Sequence, residues 1–217
     1  MSMPSTTTAR RARTRPRGVP TPWQMFFQEF LKHPVMVGSI VPSSDRLIRR
    51  MLGPVDWAGT KLFVEYGPGV GTFCRPILEQ MAADAQLIVI DTNPDFVRYL
   101  RHTITDPRFV AVHGSAADVE RIVRDHGHDH ADYVLSGLPF STLPPGVGPA
   151  IAAATQRVIR PGGAFLVYQF SPRVKDFLAP YFTDIDHDME WWNVPPAQLY
   201  WGWKTDEAAA TPGPVRA

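Results

Sequence analysis

Glu65-Tyr66-Gly67-Pro68-Gly69-Val70-Gly71 follows the apolar run Lys61–Tyr66 and precedes a helical pattern reaching about Met81. A second apolar run, Gln86–Ile90, ends in Asp91, twenty residues after Gly71. Glycine has no Cβ, so a Gly-rich turn between strand and helix lets a ligand approach the backbone closely. An acid at the end of the second strand is placed to hold a ribose diol. The strand before, the helix after and the acid at that distance together point to a nucleoside-containing ligand. The glycines depart from the dinucleotide pattern, because Thr72 and Phe73 stand where a third small residue would be needed.

The same alternation continues along the chain. Asn93-Pro94 caps a helix carrying Phe96, Val97 and Leu100. Arg108–Val112 is a strand, and Val119, Ile122 and Val123 lie on the helix after it. Tyr133–Leu135 is a strand leading into Ser136-Gly137-Leu138-Pro139-Phe140, and a helix covers about Val147–Ile159. Arg160-Pro161-Gly162-Gly163 turns into the strand Ala164–Phe170, and the strand-like segments Asp184–Trp192 and Ala197–Trp203 close the chain. Strands alternating with helices predict an α/β fold, a mostly parallel seven-stranded sheet covered on both faces. The last two strands have no helix between them, which predicts an antiparallel edge strand.

Upstream, Trp23, Phe26, Phe27, Phe30 and Leu31 share one helix face, and Leu47, Ile48, Met51 and Leu52 share another, after Ser43-Ser44 as a cap. Residues 1–20 hold five arginines, no acid and no apolar periodicity, and read as a disordered basic tail. The net charge of +1 hides an asymmetry, +5 over residues 1–32 and −4 over the rest. A basic arm meets polyanions, either nucleic acid or an anionic membrane surface, its aromatic stripe suits the membrane interface, and an acidic body disfavours a broad nucleic-acid footprint. The division expected is a tail over 1–20, a helical arm serving as membrane contact or lid over 21–56, a catalytic domain over 57–204 and a disordered tail over 205–217. One cysteine, Cys74, excludes a disulfide framework, and no apolar run approaches the roughly 20 residues of a membrane span. A cytoplasmic, peripherally membrane-associated protein is expected. No metal site is expected either. Asp125-His126-Gly127-His128-Asp129-His130 reads as a solvated loop, Cys74 as a packing residue, and Trp191, Trp192, Trp201 and Trp203 as packing for the terminal strands.

The pattern E-x-G-x-G-x-G over residues 65–71 resembles motif I of the class I S-adenosylmethionine-dependent methyltransferases, and the likeness extends over residues 61–204. It implies a Rossmann-like doubly wound sheet and S-adenosylmethionine as cofactor. Glu65, Gly67, Gly69, Gly71, Asp91, Thr92, Ser115, Ala116 and Ser136 then line the cofactor site. Ser115 stands where the family usually has an acid toward the adenine. Ser136-Gly137-Leu138-Pro139-Phe140 looks like the N-P-P-Y box of methyltransferases that modify amines, with Ser136 in the Asn position. On that likeness Ser136, the Leu138 carbonyl, Phe140 and Tyr168 orient the amine. With His33-Pro34, the stretch Gly38–Ser44, Gln169-Phe170-Ser171-Pro172-Arg173 and Asn193–Ala197, the chain resembles the soluble bacterial phospholipid N-methyltransferases, which act on phosphatidylethanolamine. Arg173 is then the phosphate contact, and Phe26 and Phe30 face the lipid. An rRNA adenine N6-methyltransferase and a cofactor-binding domain without activity remain as alternatives.

Overall fold

The computed structural model describes residues 45–140, 143–169, 174–193 and 196–205. Among them seven strands form one sheet: β1 (Leu62–Tyr66), β2 (Gln86–Asp91), β3 (Phe109–His113), β4 (Ala131–Ser136), β5 (Ile159–Gln169), β6 (Asp184–Glu190) and β7 (Ala197–Trp203). Their spatial order is β3-β2-β1-β4-β5-β7-β6. The first five are parallel. β7 runs against β5 and against β6, so the antiparallel pairing falls at the expected edge, with β7 inserted between those two strands.

The central strands are buried along their length because helices cover both faces. Every residue of β1 and β4 is buried, as expected of a parallel strand that never meets water. Successive side chains point to opposite faces. Phe63 joins a core with α1 (Asp45–Leu52), α2 (Cys74–Gln80) and one face of α3 (Pro94–Thr103). Leu62, Val64 and Tyr66 join the other core, under α4 (Val119–Asp125), α5 (Val147–Val158) and α6 (Val174–Leu178). Leu47, Ile48, Met51 and Leu52 of α1 are all buried in the first core, each contributing roughly 1.5–3 kcal/mol of apolar burial. The Trp201 indole N–H donates to the Met51 carbonyl at 2.9 Å and locks the end of α1 onto β7. The segment counted with the arm from sequence is thus packed into the α/β fold from Asp45 onward.

Local chemistry sets the boundaries. The Asn93 side chain accepts from the Asp95 N–H at 2.9 Å, and Pro94 needs no donor in the first turn of α3. Asp132 accepts from the backbone N–H groups of Lys61 and Leu62 at 2.7 and 2.8 Å and pairs with Arg160, tying together the starts of three central strands. Arg160-Pro161-Gly162-Gly163, expected as a turn, lies within β5, whose register to β4 shifts between Ala131 and Tyr133. A Cβ at Gly163 would strike the Asp132 carbonyl, so the irregularity needs a glycine.

Candidate active site

The parallel register brings the ends of the strands together. Tyr66 lies beside Ile90 on one side and Ser136 on the other, Asp91 beside His113, and Ser136 beside Val167. The Gly-rich turn after β1, Asp91, the segment after β3 and the box after β4 therefore share one edge, where open α/β sheets bind their ligands.

Gly67, Gly69 and Gly71 have φ of +61°, +56° and +81°, a region costly to other residues. Their surroundings differ. A Cβ on Gly67 would meet the Leu138 side chain at 2.7 Å, and one on Gly71 the Leu100 side chain at 2.7 Å, whereas nothing lies within 4 Å of that position at Gly69. Gly67 and Gly71 are glycines because the protein itself crowds them. Gly69 opens onto free space, as a cradle for a ligand requires. The Gly67 N–H donates to the Ile90 carbonyl at 2.9 Å, fastening the turn to β2.

Two carboxylates flank this turn. Glu65 is 2% exposed, and burial pushes its carboxyl up to about 7, with the nearby Asp91 adding to the rise. The Cys74 thiol donates to the Glu65 Oε2 at 3.3 Å. That thiol, at the start of a helix where its acidity would be expected to increase, is instead pushed well up by burial and by Glu65, which fits its packing role. Burial also raises Asp91, against the Asn93 N–H donating at 2.8 Å and the Gly69 N–H. Among the described residues neither carboxylate is held by a Lys or Arg. The donor set and the open side of Gly69 fit a ligand with hydroxyls and positive charge.

The segment after β3 is ordered by its own side chain. Ser115 caps a short 3-10 turn, Ala116–Asp118, by accepting from the Ala117 N–H at 3.2 Å. Ala116 is buried, Thr92 is exposed, and the Thr92 carbonyl is 3.1 Å from the His113 ring.

The box after β4 is organised differently. Ser136 is fully buried, and its hydroxyl accepts from the Leu138 N–H at 3.2 Å. The Leu138 carbonyl accepts from the Gln169 side-chain amide and from the Phe140 N–H. The Phe140 ring lies in the core, 4.5 Å from the Phe177 ring and edge-on to Phe165. Tyr168 is half-buried, its ring 5.0 Å from Phe73, and its surroundings hold the phenol neutral. A Cβ at Gly137 would strike the Tyr168 hydroxyl. Gly137, which looks like an insertion in the sequence box, is the space that hydroxyl occupies. Gln169 and the Gly137–Tyr168 fit were not legible from spacing, because each joins β5 to the loop after β4 across about thirty residues. Arg173, Phe26 and Phe30 lie outside the described residues.

His126 and His128 serve the scaffold. His126 Nδ1 lies 2.8 Å from the Ile122 carbonyl, and His128 Nε2 lies 3.2 Å from Gln86 Oε1. Trp201 and Trp203 pack the terminal strands as expected, but Trp191 and Trp192 stand in solvent.

Residues 63–163 match a family described as a methyltransferase domain. An ornithine lipid N-methyltransferase from Singulisphaera acidiphila is 30% identical over 178 residues, covering 81% of this chain and 93% of that protein. The chain belongs to the class I S-adenosylmethionine-dependent methyltransferases. It is an N-methyltransferase, and its cofactor is S-adenosylmethionine. Solved methyltransferases share its fold. NodS of Bradyrhizobium japonicum in complex with S-adenosyl-l-homocysteine superposes with a TM-score of 0.64 at 12% identity, covering 83% of this chain and 98% of that one. The 1,6-didemethyltoxoflavin-N1-methyltransferase of Burkholderia thailandensis gives 0.60 at 16% identity, covering 89% and 94%. Two carboxylates without a Lys or Arg beside them and an open glycine are chemically suited to a cofactor that carries cationic groups and a ribose.

Proposed function

We propose that this methyltransferase transfers methyl groups to the amine of a membrane-lipid headgroup, phosphatidylethanolamine and its partly methylated forms, at an anionic membrane surface. The observation that supports a lipid amine as acceptor is the 30% identity to an ornithine lipid N-methyltransferase over 81% of the chain, and the choice of phosphatidylethanolamine rests on the motif resemblance alone. The arm supports it, with five arginines before the Trp23, Phe26, Phe27, Phe30 and Leu31 stripe. That sequence pattern is suited to lying in a membrane interface, and each Arg near an anionic surface adds about 1 kcal/mol. Among the described residues no helix is long and apolar enough to cross a membrane.

S-adenosylmethionine supplies an electrophilic methyl, so the chain's own residues mainly bind, align and dehydrate. Asp91 holds the ribose hydroxyls. Gly69 lets the cofactor approach the backbone, Gly67 and Gly71 hold the turn that presents it, and Ser115 and Ala116 shape the adenine side. A lipid ammonium resembles Lys, with a reference pKa of about 10.4, so exposing its lone pair near neutral pH costs about 4 kcal/mol. The half-buried region between Ser136, Leu138 and Tyr168 lowers that cost by disfavouring the cation. Ser136 and Phe140 hold the box in shape, the Tyr168 hydroxyl receives the amine together with the Leu138 carbonyl once the Gln169 amide gives up its bond there, and Arg173 pairs with the lipid phosphate.

The test offers labelled S-adenosylmethionine with phosphatidylethanolamine vesicles, with ornithine-lipid vesicles and with RNA. Label in phosphatidylethanolamine is expected. Label in ornithine lipid alone would reassign the headgroup within the lipid class, and label in RNA alone would overturn the reading.

A further inference from the structure

Trp191 and Trp192 are 69% and 76% exposed, adjacent in the connection between β6 and β7. The register fixes where that connection lies. Glu190 at the end of β6 pairs with Ala197 at the start of β7, and Gln198 pairs with Gln169 at the end of β5. The two indoles therefore project from the same edge of the sheet as Gly69, Asp91 and Ser136. Three strand spacings separate β6 from β4, about 14 Å.

The base of the loop is rigid. Glu190 is fully buried, and its carboxylate pairs with Arg50 at 2.9 Å and Arg46 at 3.3 Å, both on α1. Arg50 also donates to the Met189 carbonyl at 2.9 Å and pairs with Asp188, and the Trp192 N–H donates to Glu190 at 3.1 Å. A loop held by this many charged contacts presents its tryptophans by construction. Neither belongs to a core among the described residues.

We infer that Trp191 and Trp192 form an interfacial anchor that enters the headgroup region of a lipid bilayer and turns the active-site edge toward it. Indole is apolar over most of its surface with one N–H, which is the chemistry of the membrane–water interface. The flanking charges balance, with Arg46 and Arg50 against Asp188 and Glu190, so the patch is driven by apolar insertion and is indifferent to lipid charge. That separates it from the arginine-rich arm. The inference rests on the lipid-headgroup reading, for which an anchor on the catalytic edge shortens the path of the substrate amine to Ser136 and Leu138.

The test uses the full chain and a Trp191→Ala/Trp192→Ala double variant, with Trp191→Phe/Trp192→Phe as the conservative control. Co-sedimentation is measured with neutral phosphatidylcholine vesicles in roughly 1 M salt, where the Debye length is about 3 Å and the arm's charges are screened. The alanine variant is expected to partition roughly ten- to a hundredfold more weakly than the parent, and the phenylalanine variant to recover part of the loss. Methylation of vesicle lipid should fall in parallel, while methylation of a monomeric short-chain aminophospholipid stays unchanged. Equal vesicle binding by parent and alanine variant overturns the inference. So does a lipid-free parent that sediments as a dimer when the alanine variant is a monomer, which would make the patch a contact between copies. If vesicle binding needs the tryptophans but no lipid is methylated, the anchor stands and the lipid-substrate reading fails.

Discussion

The two halves of the catalytic edge are built on opposite plans. On the proposed cofactor side, between β1, β2 and β3, two buried carboxylates are held by neutral donors, Glu65 by the Cys74 thiol and Asp91 by the Asn93 and Gly69 N–H groups. Gly69 opens onto free space, and Glu65 and Asp91 sit beside it without a Lys or Arg. On the acceptor side, between β4 and β5, the groups of the box are engaged with one another. Ser136 holds the Leu138 N–H, Leu138 holds Gln169 and the Phe140 N–H, and Phe140 is in the core. On the function proposed above, the first half is a preset cradle for the cofactor and the second a scaffold whose reach toward substrate is set by Gln169 and Tyr168.

The sharpest way to break this contrast is Phe140→Ala. If the ring touched substrate, turnover would fall with stability intact. As a core residue between Phe165 and Phe177 it should instead lose about 3–5 kcal/mol of folding stability, read by denaturant unfolding. Full stability with lost turnover would return Phe140 to the substrate.

Glu65→Gln probes the cofactor side. A carboxyl raised from 4.5 to about 7 in the folded state favours its neutral form there, so stability is greatest below about 4.5 and declines as pH rises through about 7. Replacement should remove that slope, roughly 3 kcal/mol over the whole window, measured by unfolding from pH 4 to 8 without cofactor. Cofactor affinity of the parent should rise over the same interval as Glu65 ionises, and that of the variant should not. A parent curve with no slope would sink the assignment.

Gly69→Val should lower S-adenosylmethionine affinity about a hundredfold or more by calorimetry, since its side chain fills the open side of the turn. The φ of +56° adds a stability cost of about 1–2 kcal/mol, so the variant should still fold. Unchanged affinity would place the ligand elsewhere. Gln169→Ala should have the smallest effect. It removes one of two hydrogen bonds to the Leu138 carbonyl, so turnover should fall about fivefold with cofactor affinity unchanged. A fall in cofactor affinity instead would erase the distinction between the two halves.

Composition and spacing were enough to bring the glycine turn and Asp91 to one edge of the sheet, because that arrangement is local in the chain. A strand, a glycine turn and an acid twenty residues on are adjacent in a parallel sheet whenever consecutive strands pair, as β1 and β2 do. The apolar alternation also marked every strand of the sheet, and the Asn93-Pro94 cap was legible as a cap.

What only the tertiary structure decided involves pairs far apart in sequence. That Gly137 is empty because of Tyr168, that Gln169 occupies the Leu138 carbonyl, and that Arg46 and Arg50 clamp Glu190 all depend on strand order and register. So does the difference between Trp201, buried with its N–H on Met51, and Trp191 and Trp192, left in solvent. The residue type is the same in all three. Indole burial is set by what stands opposite each ring. For Trp201 that partner is a helix about 150 residues earlier in the chain, a separation no local periodicity can carry.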